Sequence, residues 1–109
     1  MKRELYLVLE TSEQAYETLK NLKDEGFNAT VLTSESLRHA VDYYPGEHHF
    51  FNLRHLEEGN LLESILCLFV VEEDRLNSLK NIIRKETNNF NDIKGFMYSH
   101  KIEDYEGSI

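Results

Sequence analysis

The chain has 109 residues, 40% of them hydrophobic and 29% charged, with one Pro, one Cys and no Trp, the balance of an ordinary small globular domain. A chain this long buries roughly 65% of its unfolded surface, enough for one core without disulfide or metal staples. Twenty acidic residues against twelve basic ones give a formal charge of −8, a field that repels phosphate backbones and argues against nucleic acid as a partner.

No apolar run approaches the roughly 20 residues of a membrane span, and Met1 to Leu5 leads into alternation rather than a signal-peptide core. Membrane insertion and export are therefore not expected. The lone Cys67 lies inside the most apolar run and has no thiol to pair with, which suits a reducing, cytoplasmic setting.

Glu4 to Glu10 reads as a central strand, with Leu5, Leu7 and Leu9 on one face and the apolar Tyr6 and Val8 on the other. Thr11-Ser12-Glu13-Gln14 fits a capping box with Thr11 as N-cap, followed by Ala15, Leu19 and Leu22 at helical spacing and by Gly26 at C′. Phe27 to Thr33 alternates as a less buried strand. Ser64 to Val71 is a continuous apolar run between Glu63 and Glu72, expected to be a strand buried on both faces. Asp74 is placed to cap a second helix, with Leu76, Leu79, Ile82 and Ile83 as its stripe and Arg84 and Lys85 near its C-terminal end. Asn88-Asn89 or Asn91-Asp92 ends it, and Gly95 to Ile102 alternates as the last strand.

The order is β-α-β twice, the pattern of an α+β, ferredoxin-like βαββαβ domain over residues 1–109. It implies a four-stranded antiparallel sheet, two helices on one face, and a long insertion over 34–63 between strands 2 and 3. Right-handed crossovers put both helices on one side of the sheet, leaving the other side without cover from them. That side is not polar: either Ile65, Cys67, Phe69 and Val71 or Leu66, Leu68 and Val70 point that way, joined by Tyr6 and Val8. Either residues 34–63 fold over it or identical subunits bury it against one another, and self-association is the favoured reading.

Residues 34–63 exceed the usual two to six residue connection, and their Tyr43, Tyr44, Phe50, Phe51 and several Leu do not fit disorder. Ser34 or Ser36 is placed to cap a short helix bearing Leu37, Ala40, Val41 and Tyr44, ended by Pro45-Gly46. His48 to Leu53 reads as a short strand and Glu58-Gly59-Asn60 as a turn. His39, His48, His49 and His55 lie here beside Asp42, Glu47, Glu57 and Glu58. Their spacing matches no zinc pattern, so no metal site is assigned and surface histidines are the favoured reading. No Gly-rich phosphate loop, Gly-x-Ser-x-Gly elbow or His-Glu-x-x-His stretch is present, and Cys67 lies too deep to be a nucleophile. No enzymatic activity and no cofactor are expected. Tyr6, Tyr98 and His100 together offer an aromatic floor, although such residues on strands more often serve plain sheet packing.

A small acidic βαββαβ chain with a long excursion between strands two and three resembles the PII-type signalling proteins and their CutA-like relatives. The resemblance rests on element order, on Ile65 to Glu73 leading into a helix and on Ile93-Lys94-Gly95-Phe96-Met97-Tyr98 opening the last strand. It implies a homotrimer whose sheets pack around the axis, binding a small regulatory ligand in clefts between subunits and signalling to a regulated protein partner. A divalent-metal-binding CutA-like protein and a plain protein interaction module are the alternatives. The glycine-rich, lysine-bearing loop that holds phosphates in nucleotide-binding members is reduced here to Lys94 and Gly95 in Thr87 to Gly95. The expected contacts are Arg38, Arg54 and Lys94 for an anion and Tyr43, Tyr44 and Phe51 as stacking or partner-facing aromatics. Ordinary ion pairs of the two arginines and anchoring of the aromatics are the competing reading.

Overall fold

β1 (Lys2–Glu10) is apolar without a break from Leu5 to Leu9, and the computed structural model, which describes residues 1–43 and 64–108, sets it in the middle of the sheet. After it come α1 (Glu13–Asp24), β2 (Ala29–Ser34), α2 (Leu37–Tyr43), β3 (Ser64–Glu72), α3 (Glu73–Thr87) and β4 (Gly95–Lys101). Among the described residues the strands form one four-stranded antiparallel sheet in the order β2-β3-β1-β4. The two most apolar strands are central, the α+β ferredoxin-like arrangement expected from the pattern.

The register decides which face each apolar set occupies. Leu5 pairs with Phe69 and Leu7 with Cys67, and these residues, with Leu9, are fully buried under Ala15 and Leu22 of α1 and Leu76, Leu79 and Ile83 of α3. The helices also join directly, through Asn21 Nδ2 donating to Glu86 Oε1 at 2.6 Å. A side chain of one strand parity therefore enters the core, and the other parity faces away. On that far side Val8 pairs with Leu66 and Phe96, and Tyr6 with Leu68 and Tyr98. Phe96 is 53% exposed, Tyr98 54% and Leu32 48%. β3 is thus sealed on one face and only half-buried on the other, not buried on both as its unbroken apolar run suggests.

Two helix starts differ from expectation. The cap of α1 is Ser12 rather than Thr11: its Oγ accepts from Ala15 N at 3.0 Å, because the helix begins one residue later. α3 starts at Glu73, with Glu72 in the N-cap position and no side-chain cap; β3 runs straight into the helix, so Asp74 already lies in its first turn, where its charge still favours the dipole. The C-terminal ends follow the sequence. Gly26 at φ +90° closes α1, with Gly26 N donating to Lys23 O and Phe27 N to Leu22 O, a Schellman pair.

Among the described side chains of α2, Ala40 is buried, while Leu37 is 77% and Val41 49% exposed. Pro45-Gly46, the strand expected at His48 to Leu53, Glu58-Gly59-Asn60, and His48, His49 and His55 lie outside the described residues. No described helix is long and apolar enough to cross a membrane.

Candidate functional site

The open sheet face carries an aromatic row. Tyr6 of β1 stacks on Tyr98 of β4 with ring centroids 4.8 Å apart and on His100 at 5.7 Å, and Phe96 lies 6.3 Å from Tyr98. Cross-strand pairing puts these rings side by side, as alternation on β1 and β4 suggested. His100 Nε2 lies 2.9 Å from Glu4 Oε1, and its Nδ1 3.0 Å from the Lys101 carbonyl. The same Glu4 carboxylate, by hydrogen bonding, raises the Tyr6 hydroxyl above the ordinary tyrosine range.

One end of this face is occupied by the segment following β4. Ile102 N donates to Lys2 O at 3.1 Å, and Lys2 Nζ stands 5.0 Å over the Tyr105 ring while pairing with Glu72 at 2.8 Å. At the other end, where β1 and β2 finish and β3 and β4 begin, the face opens into a cleft of about 380 Å³, within the range of small-molecule sites. Its floor is Val8, Leu66 and Phe96; Ser34 and Ser64 stand at one side with their hydroxyls 2.7 Å apart. Glu10, Glu35 and Lys94 also line it. Ser34 and Ser64 are the last residue of β2 and the first of β3, so the cleft sits where the long segment leaves and re-enters the sheet.

Of the expected ligand contacts, Lys94 lines this cleft. Arg38 is exposed on α2, two residues past Ser36 of the same cleft, and Tyr43 is the last residue of α2. Tyr44, Phe51 and Arg54 lie outside the described residues. The floor residues escaped the sequence reading as a site because Val8, Leu66 and Phe96 look like ordinary strand positions. Only register brings them together at one end of one face.

The turn before β4 shows why phosphate is a poor fit there. Asn88, Asn89 and Phe90 take φ of 52°, 55° and 63°, left-handed values that Asn tolerates and Phe adopts only under constraint. The constraint is a set of internal hydrogen bonds: Asn88 N to Lys85 O, Asn89 N to Arg84 O, Phe90 N to Thr87 Oγ1, Asn91 N to Asn88 O and Asp92 N to Thr87 O. Phosphate cradles work by aiming unpaired N–H groups at the anion, and here five successive ones are committed to the chain. The one glycine nearby has a packing reason, since a Cβ on Gly95 would run into the Val8 carbonyl.

On the helix side, burial pushes the Cys67 thiol up to about 11, as befits an inert core residue. Among the described residues no three His, Cys, Asp or Glu side chains gather as a metal set would require.

No family model and no curated protein sequence matches the chain. Solved structures do resemble it. A functionally unknown protein from Pediococcus pentosaceus ATCC 25745 superposes with a TM-score of 0.59 at 13% identity, covering 99% of both chains. CPII bound to ADP, AMP and acetate, from Thiomonas intermedia K12, does so with a TM-score of 0.56 at 14% identity, over 91% of this chain and 83% of that one. At such identities the likeness is one of fold, and the chain is distantly similar, in that fold, to a PII-like protein.

Proposed function

We propose that residues 1–109 act as a single-domain, non-enzymatic regulatory protein of the PII-like kind, a cytoplasmic homotrimer that binds a small ligand at clefts between subunits and signals to a protein partner through residues 34–63. One observation carries the reading: the cleft is built from both roots of that long segment, Ser34 to Ser36 on entry and Ser64 on exit. A ligand seated on Val8, Leu66 and Phe96 touches the points from which the segment springs, so occupancy couples directly to its placement. The fold shared with a protein solved with ADP and AMP supports ligand binding as the role. Self-association is supported by the open apolar face, which exposes Leu32, Phe96 and Tyr98 beside half-buried Leu66 and Leu68. In a trimer packed through that face, the cleft at its end would be completed by a neighbour, with Lys94 and Arg38 of one chain and Arg54, Tyr43, Tyr44 and Phe51 of the segment as contacts.

Light scattering at micromolar concentration tests the assembly. The expected result is the mass of three chains, lost in Leu68→Asp, which puts an unpaired charge on the face that a trimer would bury; a monomeric mass for the unaltered protein defeats it. A thermal-shift panel of nucleotides, amino acids and divalent metals tests the ligand, since only binding to the native state raises the midpoint. A response confined to metals and lost on replacing His48 and His49 by Ala would favour a metal-binding protein instead.

A further inference from the structure

Resting on that reading of the cleft, we infer that its ligand is a small zwitterion with an apolar side chain, of the free amino acid class, rather than a nucleotide. The floor of Val8, Leu66 and Phe96 is apolar and offers a ring or branched chain a surface but no hydrogen bond. The charged groups around it are of both signs, Glu10 and Glu35 against Lys94. Glu10 and Lys94 are held side by side by the Glu10 N to Lys94 O bond of 2.8 Å, yet neither forms an ion pair among the described residues. Two adjacent, opposite, exposed charges at the rim of an apolar floor match an ammonium and a carboxylate that share one carbon.

A polyphosphate fits worse on three counts. The net field of the protein is negative, and the N–H groups of the neighbouring turn, residues 88–92, are already bonded. The volume, about 380 Å³, also lies near the lower end of the range for small-molecule sites.

The test compares phenylalanine with phenethylamine, which lacks the carboxylate, with 3-phenylpropanoate, which lacks the ammonium, and with ADP, by thermal shift and calorimetry. Phenylalanine should raise the midpoint by about 5 °C near ten times its Kd, and each truncated analogue should bind roughly tenfold or more weakly, the worth of a charge-assisted hydrogen bond. Lys94→Ala should abolish the preference for phenylalanine over phenethylamine, and Glu10→Gln the preference over 3-phenylpropanoate; both side chains are exposed, so folding is not at stake. Equal binding of all three aromatic probes, or preferences that survive these variants, overturns the inference. ADP binding with phenylalanine silent also overturns it while leaving the regulatory reading standing, and silence from every probe removes both.

Discussion

On the helix-facing side of the sheet Leu5, Leu7, Leu9, Cys67 and Phe69 are sealed at 0% exposure, while one residue along the same strands Tyr6, Val8, Leu66 and Leu68 remain half-buried and Phe96 and Tyr98 stand in the open. The two faces are built from similar residues and differ in what lies over them. α1 and α3 cover the first; the segment after β4 reaches only one end of the second. Apolar character on both faces thus leaves, among the described residues, one surface sealed under the helices and one half-exposed.

The largest expected effect contrasts the two faces directly. Phe69→Ala should cost about 3–5 kcal/mol in urea unfolding, because a sealed site relaxes poorly around a cavity. Leu68→Ala, its neighbour on the open side, should cost well under half of that in the dissociated chain and appear instead as weaker association. Equal costs at low protein concentration would mean that residues of the same chain already bury the far face.

Next comes the seam between β1 and β4 beneath the cleft. Gly95→Ala drives a methyl group into the Val8 carbonyl, and about 1–3 kcal/mol of destabilisation, with a shifted start of β4 and weaker ligand binding, is expected. A neutral outcome would show that the strands can part there. Smaller again is the cap of α1: Ser12→Ala should lower stability by about 1 kcal/mol, whereas Thr11→Ala should change little. Measuring both decides between the two adjacent hydroxyls.

The last effect, absent near neutral pH, is a pH dependence confined to the sealed face. Burial raises the Cys67 thiol from 9.0 to about 11, so between those values the unfolded chain ionises it and the native state does not. Stability from this group is full below pH 9 and falls as pH rises toward 11. Cys67→Ala should flatten that part of the alkaline unfolding profile, and the native thiol should resist Ellman's reagent at pH 8 until urea exposes it.

Much of the fold was legible because it rests on local physics. The unbroken apolarity of Leu5 to Leu9 and Ile65 to Val71 placed these strands in the centre, and Gly26 ended α1 because only a residue at ease with positive φ closes a helix that way. The N-caps were less legible: Thr11 and Ser12 carry equivalent hydroxyls, and Asp74 competes with a strand that passes into its helix without a loop. Of the candidate site, alternation revealed the row of Tyr6, Tyr98 and His100, and Lys94 proved to line the cleft.

By itself, then, the sequence determined the order of elements, the central strands and the existence of a second apolar face, since each follows from periodicity along a few consecutive residues. Which apolar parity faces the helices was left open, because a one-residue shift in register exchanges the two sets without changing the pattern. Only the tertiary structure decided it, by pairing Leu5 with Phe69 and Val8 with Leu66. That pairing sends Leu66 and Phe96 to the same end of the open face, beside Glu10 at the end of β1 and Lys94 in the turn before β4, far apart in the chain. A site assembled from four strand ends has no signature along the chain, because its members become neighbours only when the sheet closes.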